Sequence, residues 1–224
     1  MSGNVKGRLV RDGLLIYYDP ANPSSYLSGD TAVYDLSKNN RNGDLINSVS
    51  YSSIGSGSFS FDGVDDIIAI PAITGLADFT ISIWFQSTGA GTTGATAYNA
   101  LIGQGSTNRI LVATGPTKLV LAQMGGSNYI TTNTCSFNVW NNVTYTYDSV
   151  NDIAQFYVNN IKESSQSNAS VTYSVSPHFL GSTSNPIADY AMKGYISSFF
   201  MYNRKLSDDE VTNNYNTLRG RFGR

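Results

Sequence analysis

The sequence predicts an all-β fold, a two-sheet antiparallel jelly-roll sandwich with one short C-terminal helix. Three observations predict it. Short β-type runs recur along the chain with turn chemistry between them. They do not alternate with helical patterns, which argues against a parallel α/β sheet. The acids are lopsided: of 16 Asp and Glu, only Glu163 and Glu210 are glutamates, and aspartate favours turns and caps over helix interiors.

The elements follow in order. Leu14-Leu15-Ile16-Tyr17-Tyr18 is a short strand that stops at the breaker cluster Asp19-Pro20-Ala21-Asn22-Pro23. Val33-Tyr34-Asp35-Leu36 follows, then a polar turn over residues 37–44. Ser58-Phe59-Ser60-Phe61 alternates with period two, Asp62-Gly63 turns, and Ile67-Ile68-Ala69-Ile70 resumes. Phe79-Thr80-Ile81-Ser82-Ile83-Trp84-Phe85 is the clearest half-buried strand. Residues 89–96 hold only Gly, Thr and Ala and read as a flexible loop. Further strands are expected over residues 100–103, 110–113, 118–122, 140–147, 153–158, 178–181 and 195–202. Asn159-Asn160 fits a tight hairpin turn, because Asn tolerates positive φ.

One helix is well signalled, over residues 207–219. Ser207-Asp208-Asp209-Glu210 is a capping box, with Leu206 and Val211 as a hydrophobic staple. Asp208 and Asp209 lie at the positive end of its dipole. Val211, Tyr215 and Leu218 share one face, which can dock on the sandwich, and Gly220 ends the helix.

Composition bounds the function. The 224 residues show no repeat and no composition shift, so an N-terminal arm (1–12) and a single domain (13–224) are expected. Charged residues make up 13%, about half the usual roughly 25%, and the net charge is −2. Nucleic-acid binding would need a cluster of positive charge. No window approaches the roughly 20 apolar residues of a membrane span. A lone Cys135 excludes an internal disulfide and a Cys-based zinc site, and a lone His178 excludes a multi-His site. The N-terminus has no apolar signal-peptide segment, yet the polarity comes from Ser, Thr, Asn and Tyr, as on extracellular surfaces. Either a signal peptide has been removed, or the protein reaches the outside within a particle released by lysis.

Several stretches, spanning nearly the whole chain, resemble the laminin-G-like branch of the concanavalin A-like lectin/glucanase superfamily. They include Tyr34-Asp35-Leu36-Ser37, Phe59-Ser60-Phe61-Asp62-Gly63, Phe79-Thr80-Ile81-Ser82-Ile83-Trp84, Phe156-Tyr157-Val158-Asn159, and Gly194-Tyr195-Ile196 through Met201-Tyr202-Asn203-Arg204-Lys205-Leu206-Ser207. The ending Asn214-Tyr215-Asn216 with Arg219-Gly220-Arg221-Phe222-Gly223 is similar to the subset found in virion structural proteins of tailed bacteriophages. Two departures stand out. The family commonly has an acid after the Ile of the last strand, where this chain has Ser197. It usually has Asn-Gly where this chain has Asn159-Asn160.

Catalysis is not expected. Glycoside hydrolysis needs two facing carboxylates, and the glucanases of the superfamily carry two Glu flanking an Asp on one strand. This chain has no such triplet. Asp62, Asp65 and Asp66 suit calcium in their oxygen chemistry, but they lack a full ligand set and read first as an Asx turn. No other cofactor is expected. His178 and Cys135 read as structural, and Trp84 and Trp140 as core. Tyr98 with Asn99, and Asn128 with Tyr129, read as loop-borne aromatics beside amides. That chemistry suits a protein interface first and a sugar second. The resemblance therefore implies a non-enzymatic virion surface protein, on capsid or tail, made in the host cytoplasm. Its partners would be other virion proteins, further copies of itself in a closed ring, and host-surface glycans. The alternative is an extracellular bacterial carbohydrate-binding module.

Overall fold

The structure, a computed structural model, describes residues 7–73, 75–92, 97–105, 108–115, 119–124, 127–167, 178–186 and 190–224. Residues 1–6 of the expected arm, 93–96 of the expected loop, and Lys118 lie outside them. The strands among the described residues are β1 (Leu14–Tyr18), β2 (Ala32–Val33), β3 (Gly43–Ile46), β4 (Ser50–Ser52), β5 (Ser58–Asp62), β6 (Ile67–Ile70), β7 (Phe79–Ser87), β8 (Tyr98–Gln104) and β9 (Asn108–Ala113). They continue with β10 (Leu119–Met124), β11 (Ser127–Thr134), β12 (Asn141–Asp148), β13 (Ile153–Val158), β14 (Ile161–Lys162), β15 (Gln166–Ser167), β16 (His178–Leu180) and β17 (Lys193–Tyr202).

The strands form two antiparallel sheets. One has eight strands in the order β11-β10-β9-β8-β16-β6-β3-β2. The other has nine, along β14-β13-β12-β7-β17-β5-β4, with β1 on β17 and β15 on β13. β5 pairs with residues 193–196 of β17 and β1 with residues 199–202, while β7 lines the other edge. The register of β17 shifts between Ile196 and Phe199, so Ser197 and Ser198 form a bulge. The β13–β14 hairpin turns at Asn159 and Asn160, whose φ of 51° and 67° are the left-handed pair such a turn needs.

Alternation sends one face of each sheet inward. Phe59, Phe79, Ile81, Ile83, Phe85, Phe156, Phe199 and Met201 meet Ile68, Ile70, Leu101, Ile110, Val112 and Leu180 in a continuous core. Full burial of such side chains contributes about 1.5–3 kcal/mol each. Cys135 lies in this core, and burial pushes its thiol up to about 12.

A second apolar cluster lies on the outer face of the nine-stranded sheet. It gathers Trp84, Trp140, Tyr157, Phe200 and Tyr202 under Leu206, Val211, Leu218 and Phe222. Both tryptophans are thus buried, but beneath the C-terminal segment and not between the sheets. That segment is α1 (Asp208–Leu218) followed by a 3₁₀ turn (Arg219–Phe222). The capping box forms as read: Ser207 Oγ accepts from Glu210 N–H at 3.3 Å, and Glu210 Oε2 accepts from Ser207 N–H at 2.9 Å. Gly220 does not end the turn. Phe222 is drawn into the cluster, the chain keeps turning, and Gly223 supplies the left-handed residue at φ 68°. Asn214 joins Val211 and Leu218 as a buried contact, while Tyr215 stacks on Trp84 at 5.3 Å. The arm lies along this helix, with Val10 N–H donating to Asn214 Oδ1 at 2.9 Å. Among the described residues no helix is long and apolar enough to cross a membrane.

Arg204 fixes the helix start by holding both oxygens of Glu210, at 2.6 and 2.8 Å. This pairing lowers the Glu210 carboxyl to about 2 from its ordinary 4.5. A depressed carboxylate contributes stability above its unfolded pKa and loses it as pH falls through the folded value. Melting temperature should therefore drop between pH 4.5 and about 2, and Glu210→Gln should flatten that slope in a pH series of thermal melts.

Candidate functional site

The four loop-assigned residues all lie in strands of the eight-stranded sheet. Tyr98 and Asn99 begin β8, and Asn128 and Tyr129 begin β11. Their neighbours are Gly, Ser and Thr, which hid the strand character. Two of the four are not available to a ligand. Asn99 is fully buried: its Nδ2 donates to Gly89 O at 2.7 Å, and its Oδ1 accepts from Gly91 and Lys193 N–H, each at 3.3 Å. It pins the segment after β7 to the start of β17. Tyr129 faces the core, stacked on Phe156 at 4.9 Å, and burial pushes its phenol up to about 12.

Tyr98 and Asn128 remain partly or fully accessible. Asn128 is on the edge strand β11, whereas Tyr98 is on β8 in the middle of the sheet. Three strand spacings and several residues of rise separate them, on the order of 20 Å. They cannot grip one small ligand together. Around Tyr98 the structure adds what the sequence did not signal. Tyr190 meets the Tyr98 ring edge-on at 5.7 Å, and the Arg109 guanidinium lies 5.0 Å from the Tyr190 ring centroid. Ile110 and Val112 point into the core, so Arg109 and Leu111 point to the outer face. On the same face Leu121 and the exposed Ile130 form a cross-strand pair. Arg109 is 9% exposed and Leu111 is fully buried, so the face is covered at both, and what it leaves open is the half-buried ring pair of Tyr98 and Tyr190, with Leu121 and Ile130 on the same face. Such rings offer flat apolar contact.

The carboxylates are committed elsewhere. A hollow of about 360 Å³ on the nine-stranded sheet brings Glu163 and Asp208 together. Glu163 accepts from Thr132 N–H at 2.9 Å, Thr132 Oγ1 at 2.7 Å, Asn133 N–H at 2.9 Å and Asn133 Nδ2 at 2.6 Å. Asp208 accepts from Lys162 Nζ at 2.6 Å and Tyr157 OH at 2.5 Å. Burial raises the Glu163 carboxyl, but the hydrogen bonds outweigh it, and the net shift is downward. The bond from Lys162, then that from Tyr157, lowers Asp208. Neither is a proton donor at neutral pH, as a glycosidase acid must be.

The acidic turn brings ligand atoms of Asp62, Asp65 and Asp66 within 4.8 Å of one another. Its hydrogen bonds are those of a turn. Asp62 Oδ1 accepts from Val64 N–H at 2.7 Å, and buried Asp66 accepts from Ser48 and Asp62 N–H, each at 2.9 Å. Burial raises the Asp66 carboxyl. At Ser197, where the resemblance calls for an acid, the hydroxyl accepts from the Arg221 guanidinium and donates to Gly57 O at 2.7 Å. A cationic side chain already fills that position, so a metal ligand set does not fit there.

The family model described as the Concanavalin A-like lectin/glucanases superfamily matches residues 62–212. The chain belongs to this superfamily. No curated protein sequence matches it. Among solved structures, this superfamily member is similar to domain 4 of AbnA, a GH43 extracellular arabinanase from Geobacillus stearothermophilus, in complex with arabinotriose. That match has a TM-score of 0.67 and 16% identity, covering 90% of this chain and 98% of that one. The binding domain of Paraclostridial Mosquitocidal Protein 1 matches with a TM-score of 0.69 and 19% identity, over 92% of this chain and 52% of that one. The Trypanosoma rangeli sialidase in complex with sialic acid matches at 0.65 and 12%, over 94% and 34%. At these identities the likeness is one of fold. The chain spans about half of the mosquitocidal binding domain and about a third of the sialidase.

Proposed function

We propose that the chain is a non-enzymatic binding domain that works by surface contact, with carbohydrate as its ligand and the Tyr98–Tyr190 ring pair as its contact surface. The observation that carries binding over catalysis is the engagement of Glu163 and Asp208, whose oxygens already hold donors and whose carboxyls are lowered. The whole-domain likeness to an arabinanase domain in complex with arabinotriose supports carbohydrate as the ligand class. In its finer form the proposal places the domain on a tailed-phage particle, as a ring of copies meeting host-surface glycans. The resemblance of the C-terminal stretch and the low charge support that setting.

An oligosaccharide array followed by titration tests the proposal. Tyr98→Ala should weaken binding about tenfold, the worth of about 1.4 kcal/mol of ring contact, with melting temperature unchanged. Asn99→Ala should instead lower stability by about 1–3 kcal/mol, because it orphans buried backbone donors. Release of reducing ends from a labelled glycan panel would overturn the non-enzymatic reading. Unaltered binding by the Tyr98 variant would remove the site. Mass spectrometry of purified particles and gel filtration test the setting and the ring.

A further inference from the structure

The C-terminal Arg221 is held as a bound cation would be. Its Nε donates to Gly55 O at 2.7 Å, Nη1 to Asp19 Oδ1 at 2.7 Å, and Nη2 to Gly57 O at 2.7 Å and to Ser197 Oγ. The four oxygens come from three places in the chain. Asp19 follows β1, Gly55 and Gly57 belong to the turn between β4 and β5, and Ser197 lies in the bulge of β17. The pair is well shielded, with side-chain exposures of 15% for Arg221 and 9% for Asp19.

The oxygens are also held by contacts that do not involve the guanidinium. Tyr17 OH holds the other Asp19 oxygen at 2.9 Å. At Gly57, with φ 130°, a Cβ would meet the Ala21 backbone at 2.6 Å. At Gly55, with φ 64°, a Cβ would meet the Trp140 ring at 2.5 Å. Both carbonyls are thus pinned between neighbouring elements. The arrangement fits a planar fork: three nitrogens meet four acceptors along the edges of one plane. A calcium ion needs six to eight oxygens at about 2.3–2.6 Å from one point, and this set has a single carboxylate oxygen.

We propose that this corner of the sandwich is a guanidinium receptor, and that the chain fills it with its own Arg221. The receptor joins the β1 end, the β4–β5 turn, the β17 bulge and the C-terminal turn. Its ligand class is a planar guanidinium cation, which distinguishes it from sites for compact cations.

The test uses full-length Arg221→Ala, melted with N-methylguanidinium, methylammonium or calcium added singly. Methylguanidinium at ten times its Kd should raise the variant's melting temperature by about 3–6 °C. It should leave the wild type unchanged or lower, and methylammonium and calcium should stabilise neither protein. Arg221→Lys keeps the charge without the fork and should melt close to Arg221→Ala. Calcium stabilisation of Arg221→Ala beyond that of the wild type would overturn the proposal in favour of a metal site, whereas an equal effect on both proteins would belong to the Asp62–Asp65–Asp66 turn. Equal effects of methylguanidinium and methylammonium would reduce Arg221 to a plain charge. If Arg221→Ala does not fold, ¹⁵N NMR of the wild type decides. Separate, slowly rotating Nη signals for Arg221 support the receptor, and one averaged signal overturns it.

Discussion

Phe222→Ala is expected to lower stability by about 3–5 kcal/mol, the usual cost of removing a buried aromatic ring. For a chain of this size that is roughly 6–20 °C in melting temperature. Phe222 is 5% exposed and lies against both tryptophans of the chain, 4.3 Å from Trp84 at 17° and 4.8 Å from Trp140 at 47°. Trp84 is held within β7, and Arg224 Nε ties the Trp140 carbonyl at 2.6 Å, so neither indole can readily swing in to fill the void. The Arg221 guanidinium lies 4.9 Å from the same ring centroid, so ring removal also loosens the receptor corner. Urea denaturation should show a lower midpoint with an unchanged slope. Native fluorescence should shift, because Trp84 and Trp140 are the only fluorescent indoles. A loss below about 1 kcal/mol would mean that the tail merely rests on the sheet.

The sandwich was legible because alternation of apolar and polar residues marks strands. Phe79 through Phe85 alternates in the letters but is not the half-buried strand expected: all seven residues are buried, because the C-terminal segment covers the outer face of the sheet as well. Ser207-Asp208-Asp209-Glu210 shows the capping box in four residues. The C-terminal plug was not legible. Phe222 and Arg221 follow a helix with no periodicity to place them, and Gly220 and Gly223 offer two equal stops. Only the facing surfaces of Trp84, Trp140 and Asp19 make the choice, and those come from distant parts of the chain. β11 was hidden for a different reason. Its inward residues include Thr131 with Tyr129, and its outward Ile130 is exposed, so the usual polarity contrast is blurred. The candidate site inherited that error: Tyr98 and Tyr129 share a loop-like composition, yet the pleat sends one outward and the other into the core.

Glu163→Ala is expected to open the edge of the eight-stranded sheet. Among the described residues β11 is the last strand there and pairs only with β10. Its Thr132 and Asn133 N–H groups are taken up by the Glu163 carboxylate, which stands just after β14 of the other sheet. Gln155 Nε2 holds the Glu163 carbonyl at 2.6 Å and fixes its approach. One carboxylate thus ties the two sheets together and covers donors that an open edge would offer to another chain. Hydrogen bonds to a charge contribute about 1.5–3 kcal/mol each, and water recovers part of that at a half-open edge, so a net loss of about 2–4 kcal/mol is expected. Sedimentation velocity should show association beyond that of the wild type. Acid should mimic the mutation. The Glu163 carboxyl is lowered in the fold from its ordinary 4.5, so its contribution is present above that value and lost as pH falls further. Wild-type association should therefore rise on acidification, whereas Glu163→Gln, which cannot lose a charge there, should already associate near neutrality and change less with pH. A Glu163 variant as stable and as dispersed as the wild type would show that the edge is protected by its short, polar residues alone.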